Sequence, residues 1–169
     1  MPEPALAFPR EAYRARRDRT LAAMAARRLD ARLVFAADSI YYLTGLDVYG
    51  IRAHQALVVS RAPAGPCLVQ RVLAAPGVAL TSVLSGIVSY QVPAAAPVAR
   101  VLDVVRGRGL TRGSVGLERA SLTAAVAERY APGLAGAAPV NAADPVGELR
   151  LVKSRAPATR ASDATAGTD

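Results

Sequence analysis

The side chains of this sequence that are best suited to chemistry lie close together, between Asp38 and Gln55 in the stretch DSIYYLTGLDVYGIRAHQ. The stretch is rich in tyrosine and carries Arg52 and His54, the only histidine of the 169 residues. A serine–histidine–aspartate triad would need His54 as its base, but one histidine can be written into any such triad, so the pattern predicts none. The 13 acidic residues are scattered, without the spacing of a two-metal ligand set. The residues alone therefore predict no self-contained hydrolytic centre.

The elements that must position this stretch follow from the hydrophobic pattern. An apolar run predicts a buried strand over residues 32–37, and Asp38 or Ser39 is expected to cap the helical turn that follows. Gly45 is expected to end that turn, because only glycine adopts a positive φ without steric cost. An exposed loop over residues 46–52 then leads into a second strand.

The remainder of the chain alternates between predicted strands and helices, which is typical of an α/β fold. We expect a mixed sheet of about five to six strands flanked by helices, with a hairpin at residues 61–66. The predicted strands cover residues 32–37, 55–60, 67–72, 87–92, 114–118 and 139–141. The predicted helices cover residues 10–28, 97–106 and 123–130, with a further helix from residue 145. Residues 73–77 are predicted as a break, and 78–84 as a short helix or an irregular segment.

The domain organisation is predicted to be simple. Residues 1–9 are expected to form a loose arm, and residues 10–153 one domain large enough for its own core. Residues 154–169 contain no large apolar side chain, so we expect a disordered tail.

Four short motifs resemble the amino-terminal domain of the creatinase/prolidase family, which includes Xaa-Pro aminopeptidases and prolidase, and they follow one another along the chain in the order found in that family. The central motif is Ile40 followed by Tyr41, Tyr42, Leu43, Thr44 and Gly45. The others are Leu29-Asp30-Ala31, Val115-Gly116-Leu117-Glu118 and Leu149-Arg150-Leu151-Val152-Lys153-Ser154. The resemblance covers most of the chain and implies the α/β fold of that domain.

In this family the amino-terminal domain makes dimer contacts, and its loop after the central motif reaches over the active site of a neighbouring subunit. The resemblance implies that role for residues 46–55, with Tyr49 lining a pocket, Arg52 pairing with a substrate carboxylate and His54 donating or accepting nearby. Plainer interpretations stand beside these. Arg52 is then a solvated loop residue and His54 a hydrogen-bonded structural residue, while Tyr41 and Tyr42 belong to the core and its rim.

The chemistry of the family belongs to a carboxyl-terminal domain, in which two Asp, one His and two Glu usually hold two divalent metals that activate water. The sequence contains no counterpart of those ligands, so we expect no cofactor in this chain and no activity from it alone. The domain is expected to stand alone or to be truncated before the catalytic domain. The changed composition after Ser154 fits either a natural linker or a shifted reading frame.

The basic charge permits a different class of function. The net charge is +8, and eight arginines lie between Arg10 and Arg32. One interpretation is the solvated face of an amphipathic first helix; the alternative is an Arg-rich module that binds nucleic acid or an acidic protein. No nucleic-acid motif accompanies the charges, which favours the first interpretation. The partners expected are therefore a second copy of the chain or a full-length relative.

The cellular location is predicted from composition. No apolar run approaches the ~18 residues of a membrane helix, and residues 1–10 do not resemble a signal peptide. Cys67 is the only cysteine and lies in an apolar run, so we expect a buried free thiol. These features predict a cytoplasmic protein.

Overall fold

The computed structural model of the chain describes residues 4–47, 53–91, 96–134, 139–140 and 145–151. The predicted tail, residues 154–169, lies outside these ranges. Within the described part of the predicted arm, the amide of Ala5 donates to the carbonyl of Leu80 at 2.7 Å. The ring of Phe8 meets that of Tyr13 edge-on, with 6.2 Å between centroids. This part of the arm therefore packs on the domain rather than standing away from it.

Across the described ranges the chain forms six helices and six strands. The helices are α1 (Arg10–Ala26), α2 (Ala37–Thr44), α3 (Ala75–Thr81), α4 (Pro97–Gly107), α5 (Ala124–Tyr130) and α6 (Pro145–Leu151). The strands are β1 (Ala31–Val34), β2 (Ala56–Ser60), β3 (Cys67–Arg71), β4 (Gly86–Tyr90), β5 (Val115–Leu117) and β6 (Pro139–Val140). In the described part of the chain, none of the helices combines the length and the apolar character needed to cross a membrane.

The strands form one mixed sheet in the order β4-β3-β2-β1-β5-β6. The β2 strand runs antiparallel to both of its neighbours, β1 and β3, whereas β5 runs parallel to β1, β4 to β3 and β6 to β5. Leu33 in the central strand pairs with Val58 of β2 and with Leu117 of β5. The predicted α/β class, the mixed sheet and the hairpin at residues 61–66 are confirmed.

All residues of β1 and β2 are buried. Successive side chains of a strand point to opposite faces, so both faces of the sheet are covered at its centre. Leu33 faces a core that contains the α4 stripe and Tyr130 of α5. Val34 faces a second core that contains Met24 of α1 and Ile40 of α2. The stripe of α4 is confirmed, and its four members are all buried: Val98, Val101, Leu102 and Val105. The sheet thus lies between two helical layers.

The predicted end of the first strand was wrong. β1 stops at Val34, because the backbone amides of Phe35 and Ala36 donate to the carboxylate of Glu118 instead of to a neighbouring strand. The predicted caps were also wrong. Ala36 is the N-cap of α2, and it makes no side-chain cap hydrogen bond, so Asp38 and Ser39 lie inside the first turn.

The first helix ends two residues earlier than predicted. Arg28 has a φ of 54°, in the left-handed region, so the helix cannot continue through it. The amide of Leu29 then donates back to the Met24 carbonyl at 2.9 Å. This closure satisfies a terminal carbonyl of the helix without the glycine that usually marks such an end.

The predicted break at residues 73–77 was wrong. A 3₁₀ turn over Val72–Ala74 leads directly into α3, and Pro76 lies within its first turn. Proline is tolerated there because the amide it lacks would have no partner inside the helix. The start of the predicted exposed loop also differs, since Leu46 is buried in the second core.

One arginine of α1 does not lie on the solvated face. Arg16 is buried, and its guanidinium lies 4.4 Å from the ring centroid of Phe8 and 4.7 Å from that of Tyr42. Its Nη1 donates to the Tyr42 carbonyl at 3.0 Å. A planar cation can stack between aromatic faces while it donates in its own plane, so this charge is part of the packing between α1 and α2.

Candidate functional site

The turn between β1 and α2 is organised by Glu118, the residue that follows β5. Its Oε2 accepts hydrogen bonds from the amides of Phe35 at 2.6 Å and Ala36 at 2.7 Å. Its Oε1 accepts from Ser39 Oγ at 3.0 Å. Glu118 is buried, and three donors surround its carboxylate, which satisfies a group that would be costly to bury alone. Because β5 lies parallel to β1, an acid immediately after β5 falls beside the end of β1.

The last described helix joins the same network. Arg150 of α6 donates through Nη2 to Asp38 Oδ2 at 2.9 Å and through Nη1 to Ser39 Oγ at 3.4 Å. Arg27, directly after α1, donates to Glu148 at 2.6 Å, and α6 contacts both α1 and α2. Residues of two sequence motifs, Glu118 and Arg150, therefore meet at the start of α2, just before the central motif. The sequence identified Glu118 and Arg150 only as members of motifs. The position of Glu118, directly after a predicted strand, was the signal that could have indicated its role in the β1–α2 turn.

The far end of α2 begins the loop predicted to meet substrate. Gly45 has a φ of 76° and ends the helix, as predicted. A Cβ at this position would lie 2.8 Å from Tyr13 Oη and 3.0 Å from the carbonyl oxygen of Thr81. Leu46 then donates its amide to Thr44 Oγ1 at 3.1 Å. The start of the loop is thus held by backbone geometry, close packing and a side-chain hydrogen bond.

His54 holds the other end of the loop. Its Nε2 and the hydroxyl of Tyr130 lie 2.6 Å apart, within hydrogen-bond distance. Its carbonyl accepts from the hydroxyl of Tyr90 at 2.5 Å. The rings of Phe35, His54 and Tyr130 pack against one another, with centroids 5.4–5.9 Å apart. These contacts hold His54 beside the turn that Glu118 organises.

The electrostatic environment keeps this pair neutral. Burial lowers the pKa of His54 below its usual 6.5, and the nearby positive charge of Arg129 lowers that pKa further. Burial also raises the pKa of Tyr130, so its phenol remains protonated over the physiological range. The imidazole is uncharged at pH 7, which suits it to hydrogen bonding rather than to attraction of an anion.

A cleft of about 430 Å³ opens beside His54. Phe35 and Ala36 line it from the β1–α2 turn, Gln55 lines it with His54, and Thr123 lines it from the start of α5. Its volume lies in the range of ~300–1,000 Å³ that is usual for small-molecule sites. The walls are mixed, with apolar surface beside an amide, a hydroxyl and an imidazole that can form hydrogen bonds.

The remaining predicted site residues are placed as follows. Tyr49 and Arg52 lie outside the described residues, so their predicted roles stay predictions. In the central motif, Leu43, Thr44 and Gly45 shape the end of α2, while Tyr42 packs on Arg16. Tyr41 is 36% exposed and lies at the surface. Among the described residues, no group of three or more His, Cys, Asp or Glu side chains is arranged to hold a metal ion.

The mixed sheet, the glycine-ended helix α2 and the acid after β5 define an α/β domain of the kind the motifs predicted. The family model for the Creatinase/Prolidase N-terminal domain matches residues 16–152. The chain belongs to this family, and the resemblance found in its motifs is confirmed.

Solved structures with the same fold include peptidases and an isolated domain. The Xaa-Pro dipeptidase from Bacillus anthracis matches with a TM-score of 0.70 and 17% identity, over 85% of this chain and 37% of that one. The N-terminal domain of Xaa-Pro dipeptidase from Lactobacillus brevis matches with a TM-score of 0.66 and 20% identity, over 84% of this chain and 99% of that one. At these identities the likeness shows the fold. No curated protein matches the chain.

A third similar structure is the N-terminal domain of the cytoplasmic peptidase PepQ from Mycobacterium tuberculosis. Its TM-score is 0.62 and its identity 23%, over 80% of this chain and 98% of that one. This chain therefore spans about a third of the B. anthracis enzyme and nearly all of the two isolated domains.

Proposed function

We propose that this chain is the dimerisation and substrate-recognition domain of a hydrolase of the Xaa-Pro peptidase class and performs no catalysis by itself. In this proposal, residues 46–55 reach the substrate held by a neighbouring subunit. The observation that carries the proposal is that this loop is held at both ends and that its second end, at His54, lines the cleft. A loop with fixed ends can present side chains at a reproducible position, which recognition requires.

The first anchor is the turn at Gly45, where the amide of Asp47 also donates to Thr81 Oγ1 at 3.2 Å. The second is His54, held by the hydroxyls of Tyr90 and Tyr130. Between these anchors lie Tyr49 and Arg52. The guanidinium of Arg52 would pair with the terminal carboxylate of a short peptide through two parallel hydrogen bonds.

The cleft supports recognition of a peptide through hydrogen bonds rather than through charge. The neutral imidazole of His54 and the side chains of Gln55 and Thr123 offer donors and acceptors for a peptide group. In this proposal Arg52 binds the carboxylate of the peptide, and the cleft binds the peptide backbone.

The surface supports association with a second copy or with a full-length relative. Of the five large apolar side chains that the described residues expose, four lie between Val72 and Ile87. The most exposed is Leu73, at 73%. This segment leads into β4, which among the described strands lies at one edge of the sheet, and an edge strand can pair with a further strand. Apolar side chains concentrated beside an open edge are typical of an interaction surface.

The recognition half is tested by following the backbone and His54 signals in NMR spectra while Ala-Pro is added. We expect shifts confined to the cleft around His54, Gln55 and Thr123, and weaker shifts in an Arg52→Ala variant. Arg112→Ala, an exposed arginine away from the cleft, is the matched control. Unchanged spectra at high peptide concentration would remove the recognition half of the proposal.

The absence of catalysis is tested with the same purified protein. Supplied with Mn²⁺ or Co²⁺, it is expected to release no proline from Xaa-Pro peptides, because the family's metal ligands belong to another domain. Turnover above the blank that persists through repurification would show that the domain is itself an enzyme.

We also propose a cytoplasmic location. Cys67 is buried and free, as is usual for thiols in a reducing compartment. Cell fractionation with an antibody to the chain tests this, and recovery of the protein outside the cytoplasmic fraction would contradict it.

A further inference from the structure

A second cleft, of about 200 Å³, is separate from the one beside His54, and the two have no lining residue in common. Arg10, Arg14 and Arg17 of α1 all line it. These residues are spaced four and three apart, so they lie on one face of the helix. Three guanidinium groups therefore border one small cavity.

The fold does not neutralise these three charges. Within the described residues, Arg10, Arg14 and Arg17 form no ion pair and no side-chain hydrogen bond, and no acidic residue lines the cleft. Like charges at these spacings destabilise a helix, and Arg10 adds its charge at the positive end of the helix dipole. An anion in the cleft would remove both unfavourable interactions.

The other arginines near α1 are used differently. Arg16 is buried between aromatic rings, Arg27 pairs with Glu148, and Arg32 is buried in the central strand. Arg19 donates to the Ala15 carbonyl at 3.4 Å, and Arg28, exposed after the helix, has a left-handed conformation. The basic charge of the first helix is therefore not spread along one continuous surface, as a nucleic-acid polymer would need. Three of its arginines border this one small cleft, which favours a small anion.

The wall opposite the arginines is largely apolar. Leu43 of α2, Pro66 of the hairpin, and Val83 and Leu84 before β4 line it, and Ser85 adds a hydroxyl. Such a wall can bury the carbon part of a ligand while the guanidinium groups hold its charged part. The cleft is too small for a complete drug-sized molecule, so the ligand group must be compact.

We infer that this cleft binds a phosphomonoester, with the phosphate against Arg10, Arg14 and Arg17 and the adjoining organic group against Leu43 and Leu84. A phosphomonoester carries a charge of about −1.5 to −2 at pH 7 and has three acceptor oxygens, which three guanidinium groups match better than they match a singly charged carboxylate. This inference does not depend on the proposed peptide recognition.

The test is isothermal titration calorimetry of the full chain with phenyl phosphate at low ionic strength. Inorganic phosphate and benzoate serve as comparison probes. We expect phenyl phosphate to bind most tightly, since only it presents both the dianion and the apolar group. The double variant Arg14→Gln/Arg17→Gln should weaken its binding by at least about tenfold.

The matched control is Arg112→Gln/Arg119→Gln, which removes the same two positive charges from exposed positions outside the cleft. It should retain the affinity of the unmodified chain. All four arginines are exposed, and circular dichroism spectra should show that both variants are folded. Equal losses in the two double variants would overturn the inference in favour of a general charge effect. So would the absence of phenyl phosphate binding, or benzoate binding of equal strength.

Discussion

Oε2 of Glu118 accepts a hydrogen bond of 2.6 Å from the amide of Phe35, 83 positions earlier in the chain. This contact ends the central strand and begins the turn that leads to α2. It therefore connects the end of β5 with the turn before α2, the helix that precedes the candidate recognition loop.

Replacement of Glu118 by Gln should destabilise the domain. The amide side chain keeps one acceptor oxygen but loses the second, so at least one of the donors at Phe35, Ala36 and Ser39 is left buried without its partner. We expect a loss of about 2–3 kcal/mol in the free energy of unfolding, measured with urea. Glu128→Gln, at an exposed position, is the control and should change stability little. Equal effects of the two substitutions would contradict the role assigned to Glu118.

Two glycines of the described residues have a positive φ, and they provide a test of the close contact at the end of α2. Gly109→Ala places a Cβ in open space at a φ of 68°, so it should cost only the left-handed conformation, about 1–2 kcal/mol. Gly45→Ala adds a collision with Tyr13 and Thr81, so its loss should be larger by about 1–3 kcal/mol. Urea unfolding of both variants gives the comparison. A Gly45→Ala variant as stable as Gly109→Ala would show that this contact is loose.

Replacement of Arg16 by Lys tests the aromatic packing of the first helix. Lysine keeps the charge but lacks the planar group that stacks on Phe8 and Tyr42, so we expect a loss of about 1–2 kcal/mol. Arg14→Lys, at an exposed position of the same helix, should be nearly neutral. The melting temperatures of the two variants measure the difference. A neutral Arg16→Lys substitution would mean that charge alone, rather than shape, is needed there.

His54 should make the stability of the domain depend on pH. Its pKa is lower in the folded chain than its usual 6.5, so between these two values the unfolded chain binds more protons. The contribution is fully present above pH 6.5 and decreases as the pH falls through 6.5 toward the folded pKa. Because this is the only histidine, its ring signals in NMR spectra report that pKa directly. A folded pKa at or above 6.5 would contradict the assigned environment.

The sequence predicts the parts of the fold that follow from regular patterns. The stripe from Val98 to Val105 gives α4, and the apolar runs give the central strands. The positive φ of Gly45 could be predicted because glycine, which has no Cβ, adopts a left-handed conformation at a helix end without a steric clash.

The parts that were not predicted depend on partners distant in the chain. β1 ends at Val34 because a carboxylate more than 80 residues later takes the next two amides. Arg28 takes a left-handed conformation, which is not expected for an arginine. Leu46 is buried in the second core, which cannot be predicted from its neighbours in the sequence. For the candidate site, His54 could be located in advance, but its partners Tyr90 and Tyr130 could not.

The most direct test of the proposed function is sedimentation velocity of the full chain over a wide range of concentrations, alone and mixed with a full-length member of the family. We predict reversible association, and we expect Leu73→Glu to weaken it because a charge would have to be buried in the interface. The control is Ala120→Glu, which adds the same charge at an exposed position outside the segment from Val72 to Ile87 and should leave the association unchanged. A strict monomer with no affinity for the relative would contradict the account.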